Sequence, residues 1–392
     1  MKADKNTKAF FALLRAGLWE SFPVHGEGLK VLGQAKRQSR ANGSSGVDWE
    51  KVHQLAEEQS VLGLVLAGIE RYKNLNIDLH LNQELLLQWI GEVQMLEQQN
   101  KDMNAFIEKL IERMRNAGIY ALLLKGQGVA QCYERPLWRT SGDVDLFLSD
   151  INYKNAKSFL TPLAIQIEKE NGYTKHIGMT IDQWEVELHG TMRGELWQSI
   201  DNVLDGVQYD IFCGGNVRSW LNGKTQVFIP RADEDVVYVF THILQHFYMG
   251  GIGLRQVCDW CRLLWKFKDK LVFGLLESRI RKAGVMTEWK VFAALAVEYL
   301  GMPAEAMAFY DASNKWQKKA QKVLNLVLET GNFGHNRDMS FRNEDSAIKR
   351  KTQTFRLITS DSFRQFFIFP IDTVKVWFIM MGMGVRALFN KN

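Results

Sequence analysis

Apolar positions recur every three to four residues through the first part of the chain. "VDWEKVHQLAEEQSVLGLVLAGIERY" shows this spacing, and "LLLQWIGEVQMLEQQNKDMNAFIEKLIERMRNAG" carries it on through Val93, Leu96, Met103, Ile107, Leu110 and Met114. That is the period of helices with one face buried. Gly118 ends the pattern, in the place where a helix C-cap glycine belongs. The opening "MKADKNTKAFFALLRAGLWE" has Arg15 breaking its apolar run and no obvious small-residue cleavage site, so it reads as an amphipathic helix, not a signal peptide. The Gly/Ser-rich "QSRANGSSGVD" reads as a surface loop.

After Gly118 the pattern shortens. "IYALLL" (Ile119 to Leu124) is an apolar run of buried-strand type, "KGQG" (Lys125 to Gly128) a turn, and "VAQCYER" a helix leaving it. "VDLFL" is the next strand, "NAKSFLTPLA" a helix, and "YTKHIGMT" and "WEVELHG" a further pair of strands. From "RADEDVVYVFTHILQHFYMGG" the helical period returns and continues nearly to the end. The pattern therefore predicts an α/β (α+β) fold. A helical segment over 1–117 and a helical domain over 231–392 flank an α/β core over 118–230. The apolar "VWFIMMGMGV" (Val376 to Val385) is too short to span a bilayer, which takes roughly 20 residues. It is expected to be a buried core helix, with peripheral membrane contact as the alternative.

Composition adds little to this. The chain has 392 residues, 46% hydrophobic and 24% charged, enough for more than one core. A net charge of +5 is a mild excess that points to anionic ligands, and with the basic residues scattered and no basic stripe, nucleic acid is the least expected partner. Four cysteines make no disulfide framework, as expected of a cytoplasmic protein.

The candidate chemistry lies in "RTSGDVDLFLS". At the strand period of two, Asp143, Asp145 and Phe147 share one face, and Val144, Leu146 and Leu148 take the other. Neighbouring carboxylates repel, so they call for a cation between them or for full solvation. In "WEVELHG" the same alternation places Glu185, Glu187 and His189 on one face. If the two strands are neighbours, Glu187 reaches the aspartate pair and makes an all-oxygen site suited to Mg2+ or Mn2+. Lys125 and Gly126 follow a buried strand, where a backbone can approach an anion closely.

"LLLKGQGVAQCYERPLWRTSGDVDLFL" resembles the signature of the uncharacterised bacterial nucleotidyltransferase family, whose core is similar to that of DNA polymerase β. The matching residues are Lys125, Gly126, Tyr133, Arg139, Gly142, Asp143 and Asp145, with "VELH" supplying Glu187. The resemblance extends over most of the chain, including "DWEKVHQLAEEQSV" and the later His242, His246, Arg255 and Asp259. It implies a nucleotidyltransferase-type mixed sheet and magnesium-dependent transfer of a nucleoside monophosphate from a nucleoside triphosphate to a hydroxyl acceptor, with release of pyrophosphate. Asp143, Asp145 and Glu187 would be the metal-binding and catalytic groups. Lys125, Gly126, Gln127, Arg139, Ser141, Gly142 and His189 would contact substrate. Classical members have Ser or Gly where this chain has Gln127.

Each feature has a plainer reading. Arg139 could pair with an aspartate of the site, Lys125 could lie at a domain edge, and His189 could make a structural hydrogen bond. His242 and His246 with Cys258 and Cys261 have the spacing of a zinc site, but also that of two apolar helices. Arg255 and Asp259, four apart, read as a helix ion pair. The alternatives to nucleotidyl transfer are a noncatalytic nucleotide-binding or protein-interaction module and a phosphotransferase or phosphohydrolase on the same scaffold.

Overall fold

The computed structural model describes residues 4–21, 32, 46–215, 217–337 and 346–389. Most of the Gly/Ser-rich stretch 38–48 lies outside the described residues. Helix α1 (Lys5–Leu18) is capped by Asp4, whose carboxylate accepts from the Thr7 N–H at 2.7 Å. It is the helix expected there and buries Phe10, Phe11, Leu13, Leu14 and Leu18, with Lys5 and Lys8 exposed. Helices α2 (Trp49–Glu58) and α3 (Leu62–Asn74) pack beside it. Glycines allow the close approach of α1 and α3: a Cβ on Gly17 would lie 1.8 Å from the Leu64 carbonyl oxygen, and one on Gly68 2.0 Å from that of Leu13.

Helix α4 (Gln83–Asn116) buries Val93, Met103, Ile107, Leu110 and Met114 of the stripe its periodicity predicts, with Trp89 added and Leu96 only half-buried. It ends as expected at Gly118, which takes φ +72° while the Ile119 N–H reaches the Met114 carbonyl at 2.9 Å and the Gly118 N–H that of Arg115 at 2.8 Å.

The core is a seven-stranded mixed sheet of order β3-β4-β5-β2-β1-β7-β6. Its strands are β1 (Leu122–Leu124), β2 (Val144–Phe147), β3 (Ala164–Ile167), β4 (His176–Ile181), β5 (Trp184–His189), β6 (Arg218–Asn222) and β7 (Thr225–Ile229). Strand β1 is antiparallel to β2 and parallel to β7, and β2 is parallel to β5. Helices α5 (Gly126–Ala130), α6 (Asp150–Leu160) and α7 (Gln198–Gly214) connect the strands.

Strand alternation sorts the side chains as expected. Leu123, Val144, Leu146, Leu148, Val186 and Leu188 pack into one hydrophobic cluster with Met103, Ile107 and Leu110 of α4. Leu122, Leu124 and Phe147 of the opposite face join a second cluster, built mainly from the N- and C-terminal helices. Three details differ from the pattern-based expectation. Pro162 ends α6 at Leu160, so the tail of "NAKSFLTPLA" becomes a 3-10 turn and the start of β3. The helix expected over "VAQCYER" instead occupies Gly126–Ala130, and Gln131 to Arg135 form turns. The β6–β7 hairpin is additional, closed by Gly223 at φ +57° between the paired Asn222 and Thr225. The Asn222-Gly223 dipeptide is its sequence signal.

The C-terminal helices are α8 (Ala232–Met249), α9 (Leu254–Phe267), α10 (Phe273–Ala283), α11 (Met286–Glu298), α12 (Asn314–Thr330), α13 (Ala347–Phe366) and α14 (Pro370–Phe389). Their centre is aromatic, with Phe240, Trp260, Trp289 and Phe292 fully buried and in mutual ring contact. The apolar C-terminal run is a helix only partly buried: Val376 joins the core and Ile379 and Met380 pack against it, and the burial of Gly384 and Val385 lies outside what is described. Val376 is buried, but Ile371, Val374 and Phe378 of α14 are exposed, as are Phe363, Phe366 and Phe367 beside them. The reason is that α14 packs chiefly on α13, and among the described residues its outer face has no further cover. No described helix is long and apolar enough to cross a membrane.

Candidate active site

The polar face of the sheet and helix α8 enclose a cleft of about 420 Å3. Parallel pairing of β2 with β5 sets Asp145 directly opposite Glu187 and Phe147 opposite His189. Side chains in register on neighbouring strands share a face, so one pairing brings Asp145, Glu187 and His189 together. Asp143, two residues before Asp145, completes a group in which carboxylate oxygens of all three acids lie within 4.8 Å of one another.

The β1–α5 turn delivers Lys125. Leu124 pairs with Asp145 across the antiparallel β1–β2 ladder, and the next residue leaves the strand at φ 48°. Positive φ is costly for a residue with a Cβ and tends to mark functional turns. Gly126 follows at φ +41°, where a Cβ would lie 3.4 Å from the Asp143 carbonyl oxygen. The backbone turn aims the Lys125 ammonium at Asp145 Oδ1, 3.0 Å away, and at His242 Nε2, also 3.0 Å away. His189 donates to the same Asp145 oxygen at 2.8 Å and lies 3.4 Å from Glu187 Oε2, which His176 Nε2 approaches to 3.1 Å.

The opposite wall is α8, where Tyr238, His242 and His246 follow one another at single-turn spacing. The Nε2 atoms of His242 and His246 are 3.0 Å apart, and the His246 ring stacks edge-on against Phe333, with centroids 4.9 Å apart.

Charge in the cleft is unevenly balanced. The nearby Asp145 carboxylate, then burial, raises the pKa of Asp143. Burial opposes ionisation of Glu187, but hydrogen bonds from His176 and His189 outweigh it and hold that carboxyl well below the usual range. Burial likewise works against charge on Lys125 and His189, yet the carboxylates around them raise both. Across the cleft, burial and Lys125 push His242 far down and His246 down to about 4, so both imidazoles are neutral at physiological pH. The donor set of Asp143, Asp145 and Glu187 is all oxygen, and the first of these is destabilised as an anion by its neighbour. That chemistry fits a hard divalent cation such as Mg2+ or Mn2+.

The remaining sequence-predicted residues divide between the cleft and its supports. Gly142 lines the cleft. Gln127 and Ser141 do not: both bond to the Asn100 Oδ1 of α4, Gln127 at 2.7 Å, and Asn100 donates in turn to the carbonyls of Leu137 and Arg139. Arg139 pairs with neither Asp143 nor Asp145. Its Nε and Nη2 each donate to Asp259 at 2.7 Å, and Tyr133 Oη donates to the same carboxylate at 2.8 Å. The expected Arg255–Asp259 ion pair is therefore replaced by Arg139–Asp259, because the bidentate guanidinium fork from the β1–β2 connection occupies both carboxylate oxygens. Arg255 instead donates to the Thr140 carbonyl at 2.9 Å, and its Nε is buried with no hydrogen-bond partner. Burial and the neighbouring Arg139 lower its pKa. Cys258 and Cys261 are buried in α9, where burial raises both thiol pKa values. Neither metal-competent group among the described residues contains these cysteines or His242 and His246.

His176 and Tyr238 were not singled out by sequence reasoning. For His176 a signal existed. A two-residue connection after Ile181 pairs it with Trp184, and counting back along that register places His176 opposite His189. Tyr238 is the helical neighbour of His242 and carries no signal of its own.

A family model described as an uncharacterised nucleotidyltransferase matches residues 45–301 of the chain. No curated protein and no solved structure matches it.

Proposed function

The chain belongs to the uncharacterised nucleotidyltransferase family, and from that premise we propose that it moves a nucleoside monophosphate from a nucleoside triphosphate to a hydroxyl-bearing acceptor. The observation that carries the proposal is the in-register pairing of Asp145 with Glu187 beside Asp143, facing a cleft with Lys125 at its edge. In this reading the acceptor oxygen attacks the α-phosphorus, the bond to the β-phosphate breaks, and pyrophosphate leaves.

Asp143, Asp145 and Glu187 would hold a divalent cation. Bound there, it would offset phosphate charge and lower the pKa of the acceptor hydroxyl. Lys125 meets the triphosphate from the β1–α5 turn. Arg255 is the second cation on this path, since a buried guanidinium with an unpartnered Nε beside another guanidinium favours an anion. Arg139, fully engaged by Asp259, acts as a positioning residue for the loop that presents Gly142 and Asp143. The neutral imidazoles of His242 and His246 add no charge to the wall facing the acids, and His242 accepts from Lys125, while His189, hydrogen-bonded to Asp145, steadies that carboxylate.

The test is calorimetric titration of ATP, GTP, CTP and UTP with Mg2+ into the wild type and Asp143→Asn/Asp145→Asn, followed by product analysis. Magnesium-dependent binding of one triphosphate, lost in the double variant, and pyrophosphate as the released product are expected. Release of orthophosphate or a nucleoside diphosphate would move the assignment to a phosphotransferase or phosphohydrolase. Absence of any triphosphate binding would leave an interaction module.

A further inference from the structure

A second donor set lies beside the three acids and differs from them in chemistry. The β4–β5 hairpin pairs His176 with His189 across the antiparallel ladder, and Glu187 sits two residues back on the same face. Both imidazoles present Nε2 to a single oxygen, Glu187 Oε2, at 3.1 and 3.4 Å, and their ring centroids are 4.8 Å apart. One ligand atom from each of the three residues lies within 4.8 Å of the others. In a tetrahedral zinc site with bonds of about 2.0–2.1 Å, donor atoms are separated by about 3.4 Å. The two nitrogen–oxygen separations are close to that value.

We propose that His176, Glu187 and His189 form a binding site for a borderline divalent cation of the Zn2+ or Co2+ class, occupied in the absence of nucleotide. Two imidazole nitrogens with one carboxylate suit such ions, whereas the all-oxygen group of Asp143, Asp145 and Glu187 suits Mg2+. Glu187 belongs to both groups and would bridge them through its carboxylate. All three side chains are part-exposed and line the cleft, so an ion has an entry path and an open coordination position facing substrate. His189 would give up its hydrogen bond to Asp145, 2.8 Å long, in exchange for the metal bond. Asp145 keeps Lys125 as a partner.

The site does not depend on nucleotidyl transfer, so its test is run without nucleotide. Co2+ is titrated into metal-stripped full-length protein, and visible absorption is recorded, because low-coordinate Co2+ with nitrogen ligands absorbs far more strongly than octahedral Co2+ bound by oxygen. The wild type should bind with intense colour. Asp143→Asn, which removes a member of the all-oxygen group without touching His176 or His189, should keep that spectrum. His176→Ala should lose affinity by at least the roughly 10–100-fold that removal of even an outer partner of a metal site costs. His176→Gln, closer in bulk, should lose the colour with the hairpin intact, as checked by circular dichroism. A pale wild-type complex would overturn the proposal. So would unchanged binding by both His176 variants, or colour that disappears in the aspartate variant and survives in the His176 variants, since the ion would then sit on the three acids. If cobalt binds as expected while no triphosphate does, nucleotidyl transfer fails and the metal site stands.

Discussion

Substituting Asp259→Asn should destabilise the protein and disorganise the loop that carries Asp143. The carboxylate and Arg139 are both nearly inaccessible, joined by two bonds of 2.7 Å, and Tyr133 Oη adds a third at 2.8 Å. Asparagine keeps the size but has one acceptor oxygen, and its NH2 group faces the Arg139 Nη2 donor. A buried guanidinium then has no counter-charge. Breaking a buried pair on one side costs about 3–5 kcal/mol, because desolvation of the surviving charge is no longer offset. Urea unfolding followed by tryptophan fluorescence gives the readout. For a chain of this length the slope is at or above the upper end of about 1–3 kcal/mol/M, so the midpoint should fall by about 1 M. The double variant Arg139→Met/Asp259→Leu removes both charges and should recover most of that loss, while still binding nucleotide more weakly than the wild type. A shift below about 0.2 M for Asp259→Asn, or a double variant as unstable as the single one, would refute the argument that the charge pair holds the loop.

Three further outcomes are expected. Lys125→Gln removes the ammonium that faces Asp145 and His242; loss of one charge-assisted contact of about 1.5–3 kcal/mol should weaken triphosphate binding roughly 10–100-fold, and equal affinity by calorimetry would place the phosphates elsewhere. Glu288 is buried against Tyr248, and burial, followed by Asp372, raises its pKa from 4.5 to about 8. Its folded pKa lies above the unfolded one, so its stabilising contribution is complete below about 4.5 and is lost as pH rises through about 8; Glu288→Gln should melt with a flatter dependence over that window, and parallel curves would count against the shift. Peripheral membrane contact, the alternative for the apolar C-terminal run, predicts co-sedimentation with anionic vesicles through exposed Phe363, Phe367, Ile371 and Phe378, reduced by Phe363→Ser/Phe367→Ser; a wild type that stays in the supernatant removes it.

Local pattern by itself determined the elements and their faces. The period of α4, its stop at Gly118, and the division of Asp145 and Phe147 from Val144 and Leu146 follow from side-chain geometry that a helix or strand cannot alter. The convergence of Glu187 on Asp145 was legible as a condition, that the two strands be neighbours, and the parallel β2–β5 pairing meets it. Tertiary structure decided which partners the charges take. Arg139 and Asp259 are 120 residues apart, and no local spacing distinguishes that pair from the Arg255–Asp259 pair that a single helix suggests. It also turned Gln127 and Ser141 onto Asn100 and brought α8 over the sheet, so that His242 and His246 face Lys125. Those contacts depend on how helices dock against one sheet face, and docking is governed by the summed fit of two hydrophobic clusters rather than by any short stretch of chain. The exposure of Ile371, Val374 and Phe378 on α14 among the described residues has the same origin: an apolar sequence states that a helix can be buried, and only the supply of neighbouring surface decides how far it is.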